Sequence, residues 1–152
     1  MSRRVRGFEF TSAYVEKGLN LPTRSTPGSA GYDISSAIDT ALSSGTMTLI
    51  PTGLKAYMQP DEYLGLHIRS SLAVKSGLRL ANGQGIIDSD YYNNPDNEGH
   101  ILLAVFNGGP DTMIVTKGMR LAQGIFYKYL LTDQDHLEKK ESRRGGIGST
   151  GS

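Results

Sequence analysis

Short apolar runs cut apart by glycine and proline set the tightest limit on what this chain can fold into. The 152 residues contain 19 glycines and 6 prolines. Glycine is well above its usual share of about 7%, so tight turns must be frequent. The longest apolar runs are Gly85-Ile86-Ile87 and Ile101 to Phe106. Both fall far short of the roughly 20 residues a membrane-spanning helix needs. Brief alternating segments between turn residues are the pattern of an all-β chain.

In chain order, Phe8-Glu9-Phe10 alternates as a half-buried strand would. Leu21 to Ser29 reads as loop because proline, glycine and serine cluster there. Ala30 to Ile34 is a short extended piece. Thr46 to Ile50 and Leu54 to Met58 read as strands stopped by Pro51-Thr52-Gly53 and Gln59-Pro60. Tyr63 to Ile68 alternates again. Ile101 to Phe106, Thr112 to Val115 and the long apolar stretch Met119 to Leu131 read as further strands, the last as a core strand. Asp133 to Glu141 is a charged, solvated linker. The expectation is about eight to ten short strands in a barrel or jelly roll.

One helix is expected after Arg69. Ser70-Ser71 at the start, Leu72-Ala73-Val74-Lys75 within and Gly77 at the end are helix punctuation. Its first turn is either an ordinary serine cap or an anion site.

The stretch Asn82-Gly83-Gln84-Gly85-Ile86-Ile87-Asp88-Ser89-Asp90-Tyr91 carries the densest chemistry. Its glycines permit close approach of a ligand to the backbone. The two isoleucines favour an extended chain. We read it as a hairpin with a carboxylate at its base, a candidate nucleotide pocket; a surface turn with a capping aspartate is the alternative. The last residues, Arg143 to Ser152, hold two arginines and several hydroxyls among glycines. Ordering such a tail costs about 1–2 kcal/mol per residue. It is therefore either disordered or an arm that orders on an anionic ligand.

Formal net charge is +1, from 16 basic and 15 acidic residues. That balance disfavours general affinity for nucleic acid or anionic membrane. With no cysteine, disulfides and thiolate chemistry are excluded. The basic N-terminus is followed by no apolar segment, so no signal peptide is expected and the default location is cytoplasmic.

Five segments now form an ordered set: Ala30-Gly31-Tyr32-Asp33, Arg69 to Ala73, Gly85 to Tyr91, Arg120-Leu121-Ala122-Gln123, and Arg144 to Gly151. Their content and order resemble the five motifs of the trimeric deoxyuridine triphosphatases (dUTPases). The resemblance spans nearly the whole chain. It implies an all-β, jelly-roll-like distorted β-barrel of the β-clip kind with one short helix, over residues 1–141. A flexible C-terminal arm, residues 142–152, would close an active site. It also implies hydrolysis of dUTP to dUMP and pyrophosphate by a homotrimer with shared sites, and with Mg²⁺ bound through the triphosphate. Such a reaction keeps uracil out of DNA and supplies dUMP for thymidylate synthesis.

The site residues follow from the same resemblance. Asp88 matches the carboxylate that positions water against the α-phosphorus. Asn82 and the backbone of Gly85, Ile86 and Ile87 match the segment that reads uracil; Tyr91 matches the ring under the deoxyribose. Arg69, Ser70, Ser71 and Gln123 match phosphate contacts. Arg143 or Arg144, with Ile147, Gly148 and Ser149, match the arm, lent by another subunit. Asp33 is structural or an outer-sphere partner of water on the metal; no protein side chain is expected to ligate it directly. Arg120 is expected to tie chains together, Asp90 to close a salt bridge or turn, and His67 to pack or face solvent.

Two departures stand out. Ile147 replaces the usual phenylalanine over the base and forfeits about 0.5–1.5 kcal/mol of aromatic geometry. Ser142 stands at the usual arginine position, which leaves Arg144, or else Arg143, to serve. The loop from Asn93 to Gly99 is also longer than the turn usual there. Alternatives are a dCTP deaminase of the same fold, which would need a glutamate the 82–91 stretch lacks, or a regulator whose 92–99 loop binds a repressor protein.

Overall fold

The computed structural model describes residues 3–151; Met1, Ser2 and Ser152, which end the two terminal stretches discussed above, lie outside them. Eleven strands alternate with turns: β1 (Gly7–Phe10), β2 (Tyr32–Ser35), β3 (Thr40–Leu42), β4 (Met47–Pro51), β5 (Leu54–Tyr57), β6 (Glu62–Ile68), β7 (Leu78–Leu80), β8 (Gly85–Asp88), β9 (Leu102–Asn107), β10 (Met113–Val115) and β11 (Arg120–Lys128). Among the described residues one α-helix, α1 (Ser70–Ser76), follows β6, and three short 3-10 turns stand at Ser12–Tyr14, Ser89–Tyr91 and Asp135–Leu137. The all-β expectation holds, with the strands divided among four sheets. The largest runs β2-β11-β6-β8; the others are β4-β9-β7, β1-β5 and β10-β3.

Alternation explains which side chains face inward. Along β9 the exposure runs exposed, buried, intermediate, buried, intermediate, buried, which places Leu103 and Val105 in the core. Ile34, Leu42, Ile50, Leu64, Ile101, Val115 and Leu121 complete its centre, each at most 1% exposed. Burial at that level stabilises by about 1.5–3 kcal/mol per large aliphatic side chain. Polar groups in the core are satisfied. Asn107 donates to the carbonyls of Leu42 (2.8 Å) and Asp111 (2.9 Å) and accepts from the Gly109 amide at 2.9 Å. Burial pushes the Glu62 carboxyl up, but Arg6 and the Gln59 amide outweigh it and hold the group below its ordinary value.

Two local expectations need correction, and one strand was not anticipated. β11 stops at Lys128, where its partner β6 begins at Glu62. Beyond that register the backbone has no ladder, and Leu130 and Leu131 are exposed rather than core. β3 was not legible, because three residues against β10 carry no periodic signal of their own. The Asn82-Gly83-Gln84 turn does not close a hairpin: β7 pairs with β9, and β8 pairs with β6. The turn carries the chain from one sheet to another.

Candidate active site

β6 is the ruler along which the candidate residues are placed. At its C-terminal end, Ile68 pairs with Ala122, and His67 with Gln123; Gln123 in turn faces Asp33 on β2. Gly31 lies flat against Gln123, where a β-carbon would stand 2.8 Å from Gln123 Cβ. The Arg69 amide donates to the Leu121 carbonyl (3.0 Å), and the Arg69 carbonyl accepts from the Leu72 and Ala73 amides, so Arg69 caps α1 through its backbone. Neither serine forms a side-chain cap, and both are exposed. Gly77 ends the helix at φ 69°, its amide on the Leu72 carbonyl, as a left-handed cap requires.

Asp33 is engaged by two neighbouring side chains. Its carboxylate takes Arg120 Nη1 at 3.2 Å and the Ser25 hydroxyl at 2.9 Å, and its side chain is only 10% exposed. Arg120 thus pairs with Asp33 of its own chain, and its side chain is half exposed.

β8 is an edge strand, bonded only to β6 among the described residues. Its other edge presents unpaired main-chain N–H and C=O groups. The turn that feeds it is held by Gly83 N–H on the Leu80 carbonyl (3.0 Å) and Gln84 N–H on the Asn82 carbonyl (2.9 Å), with Gly83 at φ 76°. Beneath it, His67 Nε2 lies 3.2 Å from Gln84 Nε2 and 3.1 Å from the Tyr127 hydroxyl. Tyr127 stacks on Tyr63 at 5.1 Å. His67 thus belongs to a polar cluster that braces the turn, a role not read from the sequence. The alternation of Tyr63, Gly65 and His67 on one face was the available signal. Gly65 leaves the room: a β-carbon there would meet Gln84 Nε2 at 2.6 Å.

At the N-terminal end of β6, Tyr63 pairs with Asp88. A single guanidinium joins both nearby carboxylates. Arg143 donates from Nη2 to Asp88 and from Nε to Asp90 at 2.8 Å. Asp88 and Asp90 are half and more exposed, whereas the Arg143 side chain is 14% exposed. Arg143, not Arg144, is the arginine seated here; Arg144 is exposed. The Tyr91 ring is buried, and its hydroxyl donates to the His100 carbonyl and accepts from Asn97 Nδ2 at 2.9 Å. Burial pushes the Tyr91 phenol up, against the Asn97 hydrogen bond and the Arg143 charge. Ile147 is 90% exposed, Gly148 has φ 79°, and the Ser149 hydroxyl donates back to the Gly145 carbonyl at 2.6 Å.

The candidate residues therefore fall into two groups. Arg69 to Ser71, Gln123 and Asp33 stand at one end of β6; Asp88, Asp90, Tyr91 and Arg143 stand at the other. Tyr63 and Arg69 are separated by about 20 Å of extended chain. Asn82 and Gly85 to Ile87 lie between, along the open edge.

This arrangement sits on a chain with clear relatives. A family profile described as dUTPase matches residues 17–151. A deoxyuridine 5'-triphosphate nucleotidohydrolase of Lactococcus lactis is 49% identical over 148 residues, covering 97% of this chain and 99% of that protein. One from Desulfitobacterium hafniense is 41% identical over 148 residues, covering 91% of this chain and 93% of that protein. A solved dUTPase structure from Streptococcus mutans superposes with a TM-score of 0.78 at 48% identity, covering 84% of this chain and 98% of that one. With its order of motifs, its strands and these relatives in agreement, the chain belongs to the dUTPase family.

Proposed function

We propose that the protein hydrolyses dUTP to dUMP and pyrophosphate at sites shared between copies in a homotrimer. The observation that carries this reading is the open edge of β8 running directly into Asp88. Uracil offers an N3–H donor and an O4 acceptor, and free main-chain groups on an edge strand match both. Cytosine reverses that pattern and leaves a backbone donor facing its amino group, at a cost of about 1–3 kcal/mol. The Asn82 to Gly85 turn is braced by His67 and Gln84, so the edge is held in one geometry.

Asp88 orients a water toward the α-phosphorus, and positioning supplies most of its effect. Tyr91 underlies the sugar and leaves no space for a 2′-hydroxyl. Arg69, Ser70, Ser71 and Gln123 receive the phosphates. They stand about 20 Å along β6 from Asp88, which supports a site completed by a second chain. The arm, through Arg143, Ile147, Gly148 and Ser149, closes over the nucleotide.

Mg²⁺ fits as an ion carried on the triphosphate, where it neutralises charge on the phosphoryl oxygens. Among the described residues no three His, Cys, Asp or Glu side chains cluster. Asp33, already bonded to Arg120 and Ser25, suits at most an outer-sphere contact. We further place the reaction in the cytoplasm, where it limits uracil in DNA and supplies dUMP. No described helix is long and apolar enough to cross a membrane.

Pyrophosphate release measured over dUTP and the four common deoxynucleoside triphosphates, with and without Mg²⁺, tests the proposal. Release from dUTP alone is expected, falling without the ion. Ammonia from dCTP with no pyrophosphate from dUTP would replace it with deamination.

A further inference from the structure

The tip of the turn that feeds β8 makes few contacts of its own. Asn82 and Gly83 are exposed, and a β-carbon on Gly83 would meet nothing within 4 Å. The Ala81 amide, on the Ala104 carbonyl at 2.9 Å, fixes where the chain leaves β7. The ladder with β6 resumes only at Gly85, which faces Leu66. Between those points the backbone is bonded to itself, Gly83 to Leu80 and Gln84 to Asn82. Among the described residues, Gln84 is the one member of the turn whose side chain is hydrogen-bonded. A single side chain therefore ties the tip to the sheet.

That side chain sits in a recess built by three others. Gly65 is the floor: a β-carbon there would stand 2.6 Å from Gln84 Nε2 and 2.7 Å from Tyr127 Cε2. Tyr127 is one wall, stacked on Tyr63 with 16° between the ring planes. His67 is the other, its ring edge-on to Tyr127 at 6.2 Å. Tyr63, Gly65 and His67 share a face because strand side chains alternate. His67 Nε2 lies 3.2 Å from the Gln84 amide nitrogen and 3.1 Å from the Tyr127 hydroxyl. An amide nitrogen only donates, so Nε2 accepts from Gln84.

We propose that His67, Gln84 and Tyr127, seated over Gly65, are positioning residues that determine base specificity: they hold the 82–84 backbone in the one geometry that selects uracil over cytosine. This rests on the reading of the β8 edge and its turn as the part that reads the base. A main-chain donor rejects the cytosine amino group only while it cannot turn away. A tip free to rotate a peptide would present a carbonyl instead, and the penalty of an unpaired donor would vanish. The tether removes that freedom, as a supporting shell does for any precise site. Asp88 is held separately, by the ladder that runs from Gly85 to Asp88 along β6. Loss of the tether therefore acts on binding and selectivity more than on the chemical step.

Steady-state kinetics on dUTP and dCTP test this, with amide hydrogen exchange across the turn of the ligand-free protein as a second readout. Gln84→Ala cuts the tether. It is expected to raise KM for dUTP about tenfold while kcat stays within about twofold, and to lower the dUTP-to-dCTP ratio of kcat/KM about tenfold. Exchange over 82–84 is expected to quicken. His67→Leu keeps bulk but accepts nothing, and is expected to behave alike. His67→Gln keeps an acceptor near the place of Nε2 and is expected to retain the wild-type ratio. The double variant, Gln84→Ala with His67→Leu, is expected to be no worse than either single one, because both break the same contact.

A ratio unchanged in Gln84→Ala would overturn the proposal and leave dUTP hydrolysis standing, whatever happens to kcat. A changed ratio with unchanged exchange would also overturn it, since Gln84 would then act on the base directly. A wild-type protein that releases no pyrophosphate from dUTP would instead remove the reading beneath it.

Discussion

Arg143 donates its Nε to Asp90 at 2.8 Å while a terminal nitrogen of the same guanidinium reaches Asp88. Two carboxylates two residues apart thus share one cation, yet their expected contributions differ. Asp88→Asn is expected to abolish turnover and leave nucleotide binding largely intact, because the amide keeps the shape but not the charge. Asp90 is 63% exposed, and an exposed pair contributes about 0–1 kcal/mol. Asp90→Asn is therefore expected to leave the melting temperature nearly unchanged and to loosen the arm, read as faster proteolysis there. Near-normal kcat in the Asp88 variant would refute its role. Arg143→Ala is expected to cost more activity than Arg144→Ala.

Tyr91 carries two functions that substitution can separate. Tyr91→Phe keeps the ring but leaves Asn97 Nδ2 without its partner, at a cost of about 1–3 kcal/mol. It is expected to retain discrimination against UTP and to melt earlier. Tyr91→Ala is expected to admit UTP, with a larger loss of stability, about 3–5 kcal/mol. Undiminished discrimination in the alanine variant would show that the ring has another job.

Gly31 matters because of Gln123. The space a β-carbon would need is already filled by Gln123 Cβ, 2.8 Å away, in a part of the side chain that cannot swing aside. Overpacking at such a position costs about 1–3 kcal/mol. Gly31→Ala is expected to shift β11 at the phosphate end and raise KM for dUTP several-fold. The proteolysis pattern of the arm should not change, because Asp88 stands at the other end of β6. Unchanged KM would remove Gln123 from the phosphate contacts.

Acid should weaken the seat of Tyr91 through His100. The His100 Nε2 accepts the Gly53 amide at 2.9 Å, so the ring is neutral in that bond. Burial holds its pKa below the ordinary 6.5, with Glu98 opposing. Between the unfolded value and the lower folded one, the unfolded chain binds more protons. The contribution is therefore complete above about pH 6.5 and is lost as pH falls through that value toward the folded pKa. His100→Gln keeps an acceptor that does not titrate. Its melting temperature is expected to drop less than wild type between about pH 7.5 and pH 5.5. Identical pH dependence would clear His100.

Much of the local structure was written in residue order. The helix end followed from Gly77, and the strand β9 from its apolar run ended by Asn107-Gly108-Gly109-Pro110, since both depend on neighbours within a few residues. Family membership was also legible, because five motifs in register survive the divergence around them. Contacts across long separations were not. His67 meets Gln84 and Tyr127 only because β6 lies between β8 and β11, a pairing that no local period encodes.

The amino-acid sequence by itself determined an all-β chain, one short helix, the dUTPase family and a roster of candidate residues. Tertiary structure alone decided that this roster divides between the two ends of β6, that the 82–84 turn crosses sheets, and that Arg143 of the arm lies on Asp88 of the same chain. Local preference fixes how each segment bends. Which segments meet depends on a shared core and a common register, and those exist only after residues more than 50 positions apart have packed together.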